Sequence, residues 1–273
     1  MLEITTIILL FLSGCLGGFF AGLLGIGGGL IFIPMLTYYC HAIGVSDADI
    51  TKTFLANSFF AIVFSGITSS VKQYSMGQFF PKQVLITSAS AIAFSLFVSW
   101  LIGIGDWYNK ERFTVLFILV LIMLNIRLFI HRKQDTSTSI LTFSNDKFII
   151  TGLIAGVFAA LSGLGGGFIM VMLFVQWLKI DIKQASAVST GTIPFIATPL
   201  VIYYMIHQPT NFPEGVFHVG YILVYAMLPV IAGVIACSSL GVYVASKMSQ
   251  VKIKLIFIFF SILIIAKMVF EII

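Results

Sequence analysis

Charge is what this chain lacks. Only 9% of its 273 residues are Asp, Glu, Lys or Arg, against roughly 25% in soluble domains. Apolar stretches occupy nearly the whole length, which leaves no room for a separate soluble domain. Cysteine is scarce as well. Cys15, Cys40 and Cys237 are scattered, with no Cys-x-x-Cys pair and no histidine at metal-ligand spacing. They read as small packing residues, and neither a metal nor a cofactor is expected. No Asp, Glu or His stands in the middle of an apolar segment: His41, His207 and His218 fall at segment ends, as do Arg127, Lys267 and Glu271. Intramembrane carboxylates usually mark proton or sodium coupling, so no coupling residue shows, and an interior cation site has no ligands. The net charge of +5 has no basic patch with interleaved aromatics behind it, which excludes a nucleic-acid partner. A cleavable leader is also disfavoured, because Glu3 stands where a positive n-region belongs.

What the chain has is 59% hydrophobic residues, in apolar segments at about 4–24, 29–41, 53–72, 82–104, 112–131, 147–163, 166–179, 183–206, 219–245 and 252–272. Two of them are broken by the same block. Gly22-Leu23-Leu24-Gly25-Ile26-Gly27-Gly28-Gly29-Leu30 returns as Ala160-Leu161-Ser162-Gly163-Leu164-Gly165-Gly166-Gly167-Phe168. Glycine costs roughly 1 kcal/mol per helix-interior position relative to alanine, and backbone freed inside a bilayer must find partners in protein or beside water. A duplicated break of this kind points to a transporter site, in competition with plain close packing of helices. Segments 29–41 and 166–179 reach only about 20 Å at 1.5 Å per residue. Each is expected to fold back on the segment before it as a hairpin with the glycine block at its tip.

Loop charge supports the hairpins. If each enters and leaves on one face, that arrangement gathers Lys72, Lys82, Arg127, Arg132, Lys133, Lys147, Lys179, Lys183, Lys247, Lys252 and Lys254 on one side. Lys52, Lys110, Arg112 and Lys267 are left on the other. Counting each hairpin as one crossing would divide the 15 basic residues almost evenly, with no positive-inside bias. The expected fold is therefore all-α and membrane-integral. Residues 1–131 and 147–273 form an inverted-topology repeat, each half a hairpin (4–41 and 147–179) plus three helices. A cytoplasmic linker at 132–146 joins them, and both termini lie outside the inner (plasma) membrane.

Polarity decides the ligand class. The second helix of each hairpin starts at the glycine block, so its N-terminus, with free N–H groups and about half a positive charge, points inward. Two such termini suit an oxyanion. The expected binding residues are Gly25, Gly27, Gly28 and Gly29 with Gly163, Gly165, Gly166 and Gly167. Asn57 and Ser58, matched with Ser189 and Thr190 after the second hairpin, add neutral donors, the site holding no buried Lys or Arg. Gln73 and Tyr74 stand where they could line a vestibule on the basic face, and Pro194 and Pro199 are expected to kink segment 183–206.

The paired Gly-Ile-Gly-Gly-Gly (25–29) and Gly-Leu-Gly-Gly-Gly (163–167), Pro34 after the first, the Ala-Asn-Ser and Val-Ser-Thr openings, and Val71-Lys72-Gln73-Tyr74-Ser75-Met76-Gly77 together resemble the sulfite exporter TauE/SafE family over essentially the whole chain. Met172 stands where Pro34 would be repeated, and Asn57-Ser58 replaces the Thr-Ser of the pattern. The resemblance implies passage of sulfur-containing oxyanions such as sulfite, sulfonates or sulfoacetate, typically outward. The expected partners are then a small anion and the lipid bilayer, and a homo-oligomer stays open.

Three other readings compete. Ser162 could serve an intramembrane serine hydrolase, but a nucleophilic serine needs a base within reach and its repeat counterpart is Leu24, so no enzyme is expected. A carrier of metal cations or neutral solutes would want interior ligands. A purely structural protein does not account for two matched breaks.

Overall fold

The computed structural model describes residues 3–104, 145–162, 165–209, 212, 213 and 215–270, with helical residues scattered between 115 and 129. The expected segment 112–131 and the linker 132–146 lie largely outside these. Nine helices are described in full: α1 (Ile4–Leu24), α2 (Gly29–Ala42), α3 (Asp47–Ser75), α4 (Pro81–Ile104), α5 (Asn145–Ser162), α6 (Gly167–Gln176), α7 (Ile182–Ile206), α8 (Val224–Lys247) and α9 (Gln250–Phe270). A two-stranded ribbon, β1 (His218–Val219) and β2 (Ile222–Leu223), precedes α8, with His218 opposite Leu223. Among the described residues five helices are long and apolar enough to cross a membrane, while α2 and α6 are shorter. The protein is an all-α integral membrane protein.

The two short helices follow the two glycine blocks, as expected. At 1.5 Å per residue α2, with 14 residues, rises about 21 Å and α6, with 10, about 15 Å, so neither spans the ~30 Å hydrocarbon core. Each organises its own apolar cluster. Phe32 and Leu36 of α2 pack with Ile62, Ile193 and Met227, and Met170 and Phe174 of α6 pack with Val188 and Phe257.

Small residues set the long-helix packing, because lipid offers no hydrophobic drive between helices and close van der Waals contact must supply it. Gly14, Gly18 and Gly22 of α1 lie against Val230, Val234 and Ser238 of α8, in that order, so the two helices run parallel. Gly233 and Gly241 of α8 return the contact against Phe11 and Phe19. The opposite face of α1 exposes Ile8, Leu12 and Leu16, as a lipid-facing stripe should. The same device joins α5 to α4, also parallel: Gly152 meets Thr87 and Ser90, and Gly156 meets Ala91. Each hairpin's first helix thus packs on a long helix of the other half. Between them α3 and α7 cross antiparallel, with Phe59 stacked on Tyr204 at one end and Gly66 against Pro194 in the middle.

Two boundaries differ from the sequence reading. Helix α3 starts at Asp47, well before residue 53, and carries Asp49 and Lys52 on its first turns. Helix α8 starts at Val224, not 219, because the ribbon takes the preceding residues and Gly220 turns it at φ 56°. Helix α7, with Pro194 and Pro199 inside it, keeps the expected bounds.

The α1–α8 contact yields a direct test. A Cβ on Gly241 would sit 2.0 Å from the Phe19 carbonyl oxygen. Gly241→Ala should therefore force the helices apart and cost about 1–3 kcal/mol, read as a lower Tm in detergent. Leu16→Ala, on the lipid-facing stripe, should change Tm far less.

Candidate functional site

The site is built from backbone that cannot stay helical. Helix α1 ends where Gly25 turns left-handed (φ 73°) with its N–H donating to the Ala21 carbonyl at 2.8 Å. Gly27 and Gly28 continue at φ 84° and 83°, and Gly165 and Gly166 do the same before α6 at 74° and 71°. Residues with a Cβ adopt such angles only under strain, which is why the block is glycine. Gly28 and Gly166 also close their hairpins, each lying against the backbone of its own first helix, at Gly17 and Ala155. Ile31 and Phe32 bond back to the Gly28 carbonyl and Met170 to that of Gly166. The N–H groups of Gly29, Leu30, Gly167, Phe168 and Ile169 have no backbone acceptor among the described residues, as first-turn amides do. Gly163 and the Ser162 side chain lie outside the described residues.

The two tips touch. The Ser189 hydroxyl lies 2.7 Å from the Gly25 carbonyl and 3.2 Å from that of Gly167, so a single proton serves both hairpins. Ser65 donates to the Gly27 carbonyl at 3.0 Å. Between the tips sit Ile62 of α3 and Ile193 of α7, and both Gly27 and Gly165 face this pair. The centre is thus closed by two isoleucines, with the freed carbonyls held by serines.

The other polar residues divide sharply. Asn57 is saturated: its amide nitrogen donates to the Thr53 and Tyr221 carbonyls at 2.7 and 2.9 Å, and its oxygen accepts from Leu223 N at 2.8 Å. It clamps the ribbon over one end of α3. Thr190 bonds back to Ser186 O at 2.6 Å within its own helix. Ser58 is buried with no partner for its hydroxyl.

Beside the first tip lies a narrow crevice open to solvent, with Lys183 in its lining. Gln73, Gln78, Lys183, Ser186 and Ser246 supply its polar lining, and Gly22, Leu23, Ile182, Val242, Ala245 and Ile253 its apolar wall. Ser186 stands directly against Gly25, so the crevice ends at the tip. Tyr74, by contrast, is exposed and does not line it.

A model of the sulfite exporter TauE/SafE family matches residues 10–268. The chain belongs to that family. It is similar to a probable membrane transporter protein of Haemophilus influenzae, 30% identical over 89% of this chain and 90% of the relative. It is also similar to one of Methanocaldococcus jannaschii, 26% identical over 88% and 87%, and to YunE of Bacillus subtilis, 23% identical over 97% of each. No solved structure matches. The protein is a membrane transporter.

This TauE/SafE protein holds charge that sequence reading missed. Lys254, assigned above to a loop, sits in the second turn of α9 at 2% exposure, in the field of Asp181. Asp181 caps α7 by accepting from Lys183 N at 2.7 Å and also accepts from Gln250. Helix α9 begins at Gln250, so Lys254 is a buried helical residue and not a loop residue. At the far end Asp49 is 1% exposed, accepts from Tyr221 Oη at 3.0 Å, and has Lys52 over the same ring. The Tyr221 phenol is pushed up to about 12 by burial and then by that bond, so it stays protonated as a donor at physiological pH. No spacing rule links Asn57 to Tyr221, and only the folded ribbon brings them together.

The split between Asn57 and Ser58 gives a prediction. Asn57→Ala strands Leu223 N–H and the Tyr221 carbonyl and should cost about 1–3 kcal/mol. Ser58→Ala loses no bond and should leave Tm within about 0.5 kcal/mol of wild type. Thermal melts of the two variants side by side decide it.

Proposed function

We propose that this transporter carries small anions, sulfur-containing oxyanions such as sulfite or a sulfonate, outward past the two glycine tips. The observation that carries the reading is the meeting of the two glycine tips on one serine, Ser189, which reaches the Gly25 and Gly167 carbonyls, while the first-turn amides of α2 and α6 that follow the tips have no backbone acceptor among the described residues. Free amides and the positive end of a helix dipole favour an anion. Backbone donors release it more readily than a bidentate arginine would. The family name supports sulfite as a member's cargo; the relatives' names say only that they are membrane transporters.

The exchanged packing of α1 with α8 and α5 with α4 supports two inverted repeats, residues 1–131 and 147–273, about an axis through Ile62 and Ile193. Registering those isoleucines on one another sets Ser58, rather than Asn57, over Ser189. The unpartnered Ser58 hydroxyl is then the second hairpin's counterpart of the Ser189 latch, and a ligand donor in reserve.

Direction follows from the two ends. The crevice is bordered by Lys183, with Lys72 and Lys247 over the Tyr243 ring nearby, the cytoplasmic side by the positive-inside rule, while Asn57 and the ribbon close the other end. Both termini then lie outside an inner (plasma) membrane. Loading from inside suits export, and an inside-negative potential contributes about 2.3 kcal/mol per charge per 100 mV. A cation carrier finds no cluster of metal-binding side chains among the described residues.

The test is flux in proteoliposomes under an imposed potential, offering sulfite, chloride and phosphate. Sulfite flux should follow the potential, and Ser58→Ala and Ser189→Ala should each lower it roughly tenfold. Flux that ignores both substitutions would overturn this site, and flux of none of these anions would overturn the substrate class.

A further inference from the structure

We propose that the basic ends of α3 and α8 form a binding site for one anionic phospholipid, its phosphate held by Lys72 and Lys247 and its acyl chains laid on the apolar strip above them. The site is independent of which solute the protein carries.

The two helices run parallel. Asn57 of α3 meets Tyr221 and Leu223, just before α8, at one end, and Lys72, in the last turn of α3, meets Tyr243 of α8 at the other. Lys247, in the last turn of α8, reaches the same ring. The two ammonium groups stand 5.8 and 5.7 Å from its centroid, within the range of a cation–π contact. Tyr243 therefore gathers two like charges from two helices. Neither lysine has a carboxylate partner among the described residues. Asp181, on the same face, is engaged by Lys183 N–H and by Gln250. Lys183 adds a third ammonium beside the pair through its bond to the Ser246 carbonyl. Like charges gathered without an acid repel one another, and a bound anion relieves that repulsion.

The surroundings say which anion. On the membrane side of the lysines, Ile67 and Val71 of α3 and Leu240 of α8 are exposed. Tyr243 is exposed with them, as an aromatic ring at headgroup level is. A free phosphate has no carbon to cover such a strip. A phospholipid matches it, with hydrocarbon above and charge below. Gln73 and Ser246, the chain neighbours of Lys72 and Lys247, line the crevice, so the headgroup stands at the crevice rim.

The experiment is native mass spectrometry of the full chain in detergent, titrated with phosphatidylglycerol and with phosphatidylcholine of the same acyl chains. Both lipids carry the phosphate, and choline cancels its charge. At roughly fivefold in affinity per lysine, the wild type should hold phosphatidylglycerol about thirtyfold more tightly. Lys72→Gln and Lys247→Gln should each weaken phosphatidylglycerol about fivefold and leave phosphatidylcholine unchanged, whereas Lys247→Arg should keep the wild-type preference. Lys82, an exposed lysine of the same face, is the control: Lys82→Gln should change nothing. An equal loss in Lys82→Gln would mean diffuse surface charge and overturn the site. Equal affinity of the wild type for the two lipids would overturn it too, a comparison that needs no variant to fold. Inorganic phosphate that displaces phosphatidylglycerol at matching concentration would assign the lysines to the free ion and overturn the lipid.

Discussion

Backbone that leaves the helix inside a bilayer must be satisfied by protein, and everything central in this molecule follows from how that is done. The glycine blocks release carbonyls at Gly25 and Gly27. Two serines from the crossing helices collect them, Ser65 at Gly27 and Ser189 at Gly25, and Ser189 also reaches the Gly167 carbonyl in the first turn of α6. With no water in the hydrocarbon, an unsatisfied group costs several kcal/mol, so the tips are held to α3 and α7 as firmly as by any apolar contact. Yet Ser189 has one proton for two carbonyls. Any motion that parts the hairpins leaves it bonded to one of them, which makes the latch a natural place for a transporter to change state.

Much of the scaffold was legible in the sequence because it depends on local chemistry. Glycine at 25–29 and 165–167 breaks a helix wherever it occurs, so the two hairpins and the short α2 and α6 could be read off directly. The parallel glycine stripe between α1 and α8 could not. Gly14, Gly18 and Gly22 announce a close approach, but nothing local says that α8 makes it. The site was half legible. Ser189 and the tip glycines were reachable from repetition, whereas Ser65 and Ser186 look like any membrane serine. Asn57 carries two readings for a physical reason: a polar residue inside an apolar segment signals function or a structural clamp equally well, and the partners that make it a clamp, at 221–223, lie far off in the chain. Lys254 was missed because a loop boundary drawn a turn late hides a buried lysine.

The two ends of the molecule are unequal in a way that matters for a transporter. At one end the Asn57 clamp, the Asp49–Tyr221 bond and the Lys52–Tyr221 contact fix the ribbon over α3. At the other, Lys183 and Ser186 border open space that stops at Gly25. One approach is thus closed and the other open, an asymmetry that the proposed loading from the basic face requires.

The central claim is that this open approach ends at the first tip and that an anion bound there is felt at Ser186. Placing a single cysteine at Ser186, in a chain with Cys15, Cys40 and Cys237 replaced by alanine, allows a membrane-impermeant thiol reagent to be added from each face of oriented vesicles. The account predicts labelling from the face bearing Lys183 and Lys247, slowed when sulfite or a small sulfonate is present. Labelling from the opposite face alone, or labelling that no anion slows, would contradict it.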